Sequence, residues 1–194
     1  MGTTKRQLRE EFVARRAAML ADDRDAAAAR LSAHMAATPF GLDEHATVAA
    51  YVPVGTEPGS VAMLDALANT GATVLLPVVP PGDPQPLDWV RYGGPSSLER
   101  RRWGLLEPTG PHLGTDAIGS ASVIIVPALA VSRSGVRLGR GAGYYDRSIA
   151  GVSAELVAVV YDGELVDELP GDAYDVPMGW VVTPGGGCSE IETR

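Results

Sequence analysis

Apolar side chains near the start of the chain recur at the spacing of helix faces. Leu8 and Phe12, which follow a capping-box pattern, share one face and predict a first helix over residues 5–21. An alanine-rich stretch with Leu31 on its apolar side predicts a second helix, which ends before Pro39. On this pattern, the chain begins with two consecutive helices.

In the middle of the chain, short runs rich in β-forming residues alternate with a helical pattern. Residues 46–52 and 73–79 have the composition of strands, and residues 61–71 between them repeat apolar positions at helical spacing. A strand, a helix and a strand at such close spacing predict a βαβ unit with a right-handed crossover, and therefore a parallel sheet. The continuous apolar runs 121–126 and 156–161 predict two further strands, buried in the centre of that sheet.

The remaining segments complete the expected domain. Residues 87–92 and 180–183 predict edge strands, and residues 93–119 are expected to be largely loop. So long a connection indicates either a functional loop or an element that the pattern does not reveal. We expect residues 1–184 to form a single three-layer α/β/α domain with a mostly parallel central sheet, and residues 185–194 to be a flexible C-terminal tail.

Composition and charge narrow the class of protein. The 194 residues are 45% hydrophobic and 21% charged, which is typical of a globular domain and excludes wholesale disorder. A net charge of −8 argues against a nucleic acid held by its phosphates. The longest apolar runs reach about half the length of a membrane-spanning helix, and the N-terminus leads into charged residues. We therefore expect neither insertion into a membrane nor secretion.

Cysteine, histidine and lysine chemistry is limited in this sequence. Cys188 is the only cysteine, so an internal disulfide is excluded, and the few histidines are too scattered for a zinc site. Lys5 is the only lysine, so any chemistry that needs a side-chain amine has one candidate. These features fit a cytoplasmic protein that acts on small molecules, and they leave open whether it is a monomer or a homodimer.

The segment with the most chemical information is Arg137–Arg147, RLGRGAGYYDR. Its alternating glycines let backbone N–H groups face an anion without a Cβ in the way, and a helical pattern follows, as at many phosphate sites. Its arginines add cationic groups, and Asp146 supplies a hard oxygen that suits magnesium. The glycine spacing is neither that of the P-loop nor that of the dinucleotide fingerprint. A glycine-rich hairpin with solvated arginines remains the structural alternative.

Together with the preceding Val126–Ala130, this segment resembles the signature of the 5-formyltetrahydrofolate cyclo-ligase family, also called the methenyltetrahydrofolate synthetases. Other segments resemble further motifs of that family in the same order along the chain; they are Lys5–Arg9, Tyr51–Glu57, Trp103–Pro108 and Leu169–Asp175. Each motif is weak alone. Their joint occurrence over nearly the whole chain makes the resemblance specific.

The resemblance implies a ligase of folate one-carbon metabolism. Such an enzyme uses ATP and Mg²⁺ to convert 5-formyltetrahydrofolate into 5,10-methenyltetrahydrofolate, and it releases ADP and phosphate. The resemblance also implies a phosphorylated formyl intermediate, which forms when the formyl oxygen attacks the γ-phosphate. Chemistry of this kind depends mainly on positioning and on the neutralisation of charge.

The resemblance further assigns roles to individual positions. The residues expected to bind ATP are Lys5, Arg9, Arg137, Leu138, Gly139, Arg140, Gly141, Ala142, Gly143, Tyr144 and Tyr145. Those expected to bind the folate are Val52, Glu57, Trp103, Arg140, Gly141, Ala142, Gly143 and Tyr144. Catalytic roles fall to Lys5, Arg137, Arg140 and Tyr144, and the carboxylates of Asp146 and Asp175 are expected to hold the metal.

Without the resemblance, the same residues also fit structural roles. A basic pair four residues apart on a helix, such as Lys5 and Arg9, is commonly only solvated. Glu57 fits a turn, and Tyr144 and Trp103 fit the hydrophobic core.

Two positions depart from the family pattern. Ala142 stands where the family often has glycine, and its methyl group makes a positive φ less accessible, so the loop is expected to be stiffer. Tyr174 stands where many members have histidine, and we assign no role to it.

Two other classes of function remain open at the level of sequence. Three-layer α/β sheets also host sugar-phosphate isomerases and CoA transferases, which bind anions on glycine loops without ATP. A binding module without catalysis is the third class. In such a module we would expect the metal carboxylates or the N-terminal basic pair to be lost, whereas this sequence has both.

Overall fold

A seven-stranded sheet lies at the centre of the computed structural model, which describes residues 4–101, 106–172 and 175–192. Within those ranges the strands, in chain order, are β1 (Thr47–Ala49), β2 (Thr73–Val78), β3 (Asp88–Arg91), β4 (Leu98–Arg100), β5 (Leu106–Pro108), β6 (Val123–Pro127), β7 (Ala130–Ser132), β8 (Arg137–Leu138), β9 (Glu155–Val159), β10 (Leu165–Val166), β11 (Trp180–Thr183) and β12 (Gly187–Glu190). The α-helices are α1 (Lys5–Ala18), α2 (Ala21–Ala36), α3 (Val61–Ala68) and α4 (Tyr144–Ile149).

The central sheet has the strand order β12-β11-β9-β6-β1-β2-β3. Its interior pairs are parallel, whereas β3 and β12 pair antiparallel at the two edges. Val48 of β1 lies in register with Val74 of β2 and Val123 of β6, and all three side chains are buried. Strands that are apolar on both sides need cover on both faces, which is typical of parallel sheets.

Helices provide that cover on both faces of the sheet. α2 and α3 bury Leu31 and Met63 against one face. On the other face, Ile118 of the 3-10 turn Thr115–Ser120 and Ile149 of α4 pack into a second core cluster. The α/β class with a mostly parallel central sheet is therefore confirmed. Among the described residues, no helix is both long enough and apolar enough to cross a membrane.

A small sheet and the N-terminal helix form a separate layer beside the central sheet. The small sheet has the order β10-β7-β8. Phe12 of α1 packs in a third apolar cluster with Leu129, Ala130 and Leu138, which lie in or next to β7 and β8. This packing sets α1 beside the glycine-rich segment that follows β8.

Most of the elements expected from hydrophobic spacing are present. α1 begins at a capping box in which the Thr4 and Gln7 side chains bond to each other's backbone N–H groups, and α2 follows it, as predicted. β1, α3 and β2 form the predicted βαβ unit, because β1 and β2 pair in parallel. β3 is the predicted edge strand, and β6 and β9 are the predicted central strands.

Two expectations need correction. The segment 185–194 was expected to be a tail, but β12 lies within it and pairs with β11, so β11 is not an edge strand. The chain can reverse there because Gly187 adopts φ +69°, and the Ile191 N–H then donates to the Gly179 carbonyl at 2.7 Å. The segment 93–119 is not only loop. It contains β4 and β5, which pair antiparallel with each other, and a 3-10 turn.

Candidate functional site

A cavity of about 330 Å³ opens at the carboxyl ends of β1, β2 and β6. From β1 the chain continues to its neighbour β2 on one side of the sheet, whereas from β6 it continues to β9 on the other side. The boundary between β1 and β6 is therefore a topological switch point, where open α/β sheets commonly bind ligands. Tyr51 and Glu57 line the cavity from the segment after β1, and Leu129 lines it from the segment after β6. Arg137 and Tyr144 contribute from the ends of the glycine-rich segment.

The glycine-rich segment connects β8 to α4 and forms one wall of the cavity. Gly141 has a φ of +101° and Gly143 a φ of +72°, values that residues with a Cβ rarely adopt. A Cβ on Gly141 would also lie 3.3 Å from Arg9 Cζ, so glycine lets that guanidinium approach the loop. Because α4 has only six residues, its dipole is small, and the arginines supply most of the positive charge at this wall.

Arg137 is a buried cation of the cavity. Its side chain is 6% exposed; Nη1 donates to the Pro127 carbonyl at 3.2 Å and Nη2 donates to Asp146 Oδ1. Arg147, by contrast, is exposed and donates from Nη1 to the Ala142 carbonyl at 3.0 Å, which ties the loop to α4. The guanidinium of Arg137 is thus held in a fixed orientation beside the loop.

The α1 helix brings one more cation to the glycine-rich segment and another to the C-terminal acidic turn. Arg9 Nε donates to the Gly139 carbonyl at 2.9 Å, so the helix is bonded directly to the glycine-rich segment. Lys5 Nζ lies 2.6 Å from Asp172 Oδ2 and 2.7 Å from Asp175 Oδ2. The predicted basic pair therefore faces the loop and the C-terminal acidic turn and is not simply solvated.

The ion pairs of Lys5 shift the pKa values of both partners. Burial opposes the charge on Lys5, but its hydrogen bonds to Asp172 and Asp175 and their negative charges raise its pKa above the usual value. For Asp175, burial also opposes the charge, but the hydrogen bond from Lys5, the backbone N–H of Asp172 and the charges of Lys5 and Arg137 lower its pKa. Both groups are therefore charged at neutral pH.

Two tyrosine hydroxyls hold the loop that carries Glu57. The Tyr51 hydroxyl donates to the Pro58 carbonyl at 2.6 Å, and the Tyr161 hydroxyl donates to the Thr56 carbonyl at 3.3 Å. Both tyrosines are buried, so their hydrogen bonds hold the residues directly before and after Glu57 in place.

The Glu57 carboxylate joins two walls of the cavity. Oε2 accepts the Val54 N–H at 3.0 Å, and Oε1 accepts a hydrogen bond from Arg140 Nε at 2.9 Å. The Glu57 side chain is 11% exposed, whereas that of Arg140 is 56% exposed. Arg140 is therefore the partner with room to move when a ligand needs the carboxylate.

The structure brings most of the predicted site residues to the cavity. Glu57, Arg137 and the continuous segment 139–146 line it. Val52 and Leu138 are buried in core clusters and do not line the cavity. Trp103 and Tyr174 lie outside the described residues. Lys5, Arg9 and Asp175 do not line the cavity either, although Arg9 is hydrogen-bonded to Gly139 in its glycine-rich wall. The individual roles of all these residues stay predictions.

Arg16 is a cavity residue that the sequence analysis did not identify. It lines the cavity although only 1% of the residue is exposed, and it forms an ion pair with Glu164 at 2.7 Å. A signal was present in the sequence, because Arg16 continues the helical stripe of Lys5 and Arg9. A buried arginine, however, cannot be distinguished from a solvated one by spacing alone.

The candidate metal ligands need a partner from outside the protein. The described residues contain no group of three or more His, Cys, Asp or Glu side chains that could hold a metal. Asp146 lines the cavity and is bonded to Arg137 through Oδ1, and Asp175 is bonded to Lys5 through Oδ2. Mg²⁺ commonly takes one or two carboxylates plus waters and substrate phosphates, so this donor set fits a metal that arrives with a phosphate ligand.

Comparisons with known proteins agree on one family. The model of the 5-formyltetrahydrofolate cyclo-ligase family matches residues 1–184. A 5-formyltetrahydrofolate cyclo-ligase of Mycolicibacterium smegmatis is 54% identical over 143 residues, which are 71% of this chain and 73% of that protein. The same-named protein of Escherichia coli is 30% identical over 141 residues, 71% of this chain and 78% of its own. The NMR structure of Aquifex aeolicus 5,10-methenyltetrahydrofolate synthetase has a TM-score of 0.75 at 27% identity and covers 98% of this chain and 94% of that one.

Proposed function

Because the chain belongs to the 5-formyltetrahydrofolate cyclo-ligase family and is therefore a ligase, we propose that it uses ATP to close 5-formyltetrahydrofolate into 5,10-methenyltetrahydrofolate. In the proposed reaction the formyl oxygen accepts the γ-phosphoryl group and ADP leaves. N10 then attacks the formyl carbon, the C–O bond breaks with release of phosphate, and N10 loses its proton. The formyl oxygen therefore leaves in the phosphate.

One observation carries the proposal: a single cavity combines a buried cation on a glycine-rich wall with a fixed carboxylate on the opposite loop. Arg137 and the segment 139–143 provide donors of the kind that hold phosphates. Glu57 provides an acceptor of the kind that binds the N–H groups of a pterin edge. A site for phosphoryl transfer between ATP and a folate needs both kinds of group within reach of each other.

The cations around the loop have distinct proposed tasks. Arg137 neutralises charge on the triphosphate, and its hydrogen bonds to Pro127 and Asp146 keep it oriented. Arg9 braces the loop at Gly139, and Lys5 supplies a compact ammonium to the phosphates. Because the charges are held in place before ATP binds, little reorganisation is needed when charge moves during transfer.

The folate side of the cavity has a more apolar lining. Tyr144 lines the cavity together with the apolar residues Leu87 and Leu129 and offers a flat face on which a ring can stack. When the pterin binds to Glu57, Arg140 releases the carboxylate, because its side chain is the exposed partner of the ion pair. Arg140 is then free to contact the phosphate of the intermediate.

Magnesium is proposed to accompany ATP. The carboxylates of Asp146 and Asp175 would hold it. Asp175 would use Oδ1, because Lys5 is bonded to Oδ2. A magnesium ion bound to the triphosphate neutralises phosphate charge. The protein's own task there includes keeping Asp175 ionised: burial opposes its charge, but the hydrogen bond from Lys5 and the charges of Lys5 and Arg137 lower its pKa.

The proposal places the whole activity in one domain, which includes β12 and works in the cytoplasm on small molecules. The half-buried thiol of Cys188, whose pKa burial raises to about 11, stays protonated and unreactive at neutral pH.

Incubation with ATP, magnesium and 5-formyltetrahydrofolate tests the proposed function. We expect the absorbance of the methenyl product to appear only when ATP is present, together with an equal amount of ADP. Product without ATP would contradict the proposed phosphoryl transfer. Binding of both ligands without product would indicate a binding module.

Removal of the Lys5 amine should weaken the binding of ATP more than the binding of folate. We expect Lys5→Met to raise the Michaelis constant for ATP by about tenfold, because one charge-assisted contact to phosphate is lost. Lys5→Arg should show a smaller increase of this Michaelis constant but not the wild-type value, since a planar guanidinium replaces a compact ammonium. Steady-state kinetics with each substrate varied gives the answer.

Arg6→Met is the matched control for this prediction. Arg6 is the next residue on α1, its side chain is 80% exposed, and its ion pair is with Glu10 on the same helix. Its replacement should leave both Michaelis constants unchanged. Equal behaviour of the Lys5 and Arg6 variants would show that Lys5 is one more surface charge.

Neutralising Glu57 should weaken the binding of folate more than the binding of ATP. We expect Glu57→Gln to reduce the affinity for 5-formyltetrahydrofolate by about tenfold, because an amide offers one acceptor where the carboxylate offers two. Separate titrations with each ligand measure the effect, and Glu99→Gln, whose side chain is 57% exposed, is the control. A larger loss for ATP than for folate would contradict the assignment.

A further inference from the structure

Two buried donors of the cavity have no hydrogen-bond partner. Among the described residues, the buried side-chain N and O atoms without a partner are Arg137 Nε, the Tyr145 hydroxyl and Trp89 Nε1. Arg137 and Tyr145 line the same cavity, whereas Trp89 lies in the core beneath the second face of the sheet. Folded proteins rarely leave a buried donor unpaired, and such groups commonly mark strain or function.

Other buried donors beside these two atoms do have hydrogen-bond partners. The other nitrogens of Arg137 are bonded to Pro127 and Asp146. The nearby Tyr51 hydroxyl is bonded to Pro58 at 2.6 Å. Among the described residues that line this cavity, these two are the buried side-chain donors without a partner. A ligand in the cavity can supply their acceptor.

Tyr145 lines the cavity together with Glu57 and Arg137, so its hydroxyl lies between the proposed pterin and phosphate sites. Burial raises the pKa of this hydroxyl above its usual range, the charge of Glu57 raises it further, and the charge of Arg137 opposes both. The hydroxyl thus lies within reach of the fields of both the proposed pterin-binding carboxylate and the phosphate-binding guanidinium. Since it stays protonated, it acts as a hydrogen-bond donor and not as a base.

We propose that the Tyr145 hydroxyl and Arg137 Nε–H are kept unpaired in the free enzyme so that both donate to oxygens of the phosphoryl group in transfer. This inference rests on the proposed function and assigns Tyr145 a catalytic role beyond contact with ATP. The step itself breaks the bond between the γ-phosphorus and the bridging oxygen, whose electrons go to ADP. It forms a bond from the formyl oxygen to the same phosphorus.

Two donors that are paired only during transfer lower the barrier without lowering the energy of the free enzyme. An interaction that exists only in the transition state raises kcat, whereas one made equally in the ground state changes the Michaelis constant. The unpaired hydroxyl also destabilises the free protein, because a buried donor has lost its water without gaining a partner. Activity and stability should therefore respond in opposite directions when the hydroxyl is removed.

Tyr145→Phe tests the inference because it removes the hydroxyl and keeps the ring. We expect kcat to fall about 100-fold, the loss seen when one preorganised donor is removed, with little change in the Michaelis constants. The melting temperature of the ligand-free variant should stay the same or rise. Steady-state kinetics and thermal unfolding of the free protein measure the two effects.

Tyr92→Phe is the matched control with the opposite expectation. The Tyr92 hydroxyl donates to Asp65 Oδ1 at 2.8 Å, and this residue does not line the cavity. Its removal should lower the melting temperature, because a satisfied hydrogen bond is lost, and leave kcat unchanged.

The outcomes separate this inference from the proposed function. If Tyr145→Phe keeps the kcat of the wild type, or lowers the melting temperature as Tyr92→Phe does, the hydroxyl has a structural role and the inference is overturned while the proposed function stands. If the wild type itself forms no methenyl product with ATP, the proposed function fails, and the inference fails with it.

Discussion

Replacement of Arg137 by methionine is expected to reduce kcat/KM for ATP by about a thousandfold, within the range attributed to arginines that stabilise phosphoryl transfer. The side chain is 6% exposed, so its charge acts in surroundings where water screens little. Methionine keeps much of the apolar stem and removes the charge together with the bonds to Pro127 and Asp146. Kinetics with ATP varied at saturating folate gives the number.

Arg133→Met is the matched control for that variant. Arg133 lies on the same hairpin, but its side chain is 67% exposed and it pairs with Asp167, which is 93% exposed. A pair of this kind contributes little to stability, and we expect no change in kcat/KM. If the Arg137 variant retained its activity to within a factor of about three, the role given to this guanidinium in transition-state stabilisation would be wrong.

Breaking the buried pair between Arg16 and Glu164 is expected to have the largest effect on stability. Arg16 Nε lies 2.7 Å from Glu164 Oε1, and Nη2 lies 2.8 Å from Oε2. Removing one partner of a buried pair leaves a charge without compensation and costs about 3–5 kcal/mol. Arg16→Met should therefore lower the melting temperature by roughly 10 °C, since a domain of this size loses about 2–4 °C per kcal/mol.

A double variant identifies the cause of that loss. In Arg16→Met/Glu164→Gln no charge remains buried, and the glutamine oxygen still accepts the Tyr161 N–H that Glu164 Oε2 now accepts at 2.8 Å. We expect the double variant to unfold at a higher temperature than Arg16→Met alone. Arg15→Met, which breaks an exposed pair with Glu11 on the same helix, should change the melting temperature very little. Additive losses in the double variant would contradict an uncompensated charge as the cause.

The sequence predicted the elements whose pattern is local. The helices α1 to α3 and the strands β1, β2, β6 and β9 follow from apolar spacing, because each packs with a regular face or is buried on both sides. The β10-β7-β8 sheet and β12 were not predicted: β8 and β10 have two residues each, and β12 (Gly187–Glu190) has no apolar run. Such a strand has no apolar pattern to detect, and only its partner in the fold defines it.

The candidate site was predictable where one segment contains all the chemistry. The glycines and arginines of 137–147 are adjacent in sequence, so a common phosphate-binding role can be predicted for them without the fold. The pairs that organise them were not, because Lys5 meets Asp175 and Arg16 meets Glu164 across most of the chain. Spacing indicates that residues share a helix face, but it does not say what that face contacts.

The path of the formyl oxygen tests the central claim most directly. With 5-formyltetrahydrofolate that carries oxygen-18 in the formyl group, ATP-dependent phosphoryl transfer at this cavity predicts one labelled oxygen in each phosphate released with the methenyl product. Mass spectrometry of the phosphate reads the label. Unlabelled phosphate, with the oxygen-18 recovered in water, would contradict transfer of the phosphoryl group to the formyl oxygen.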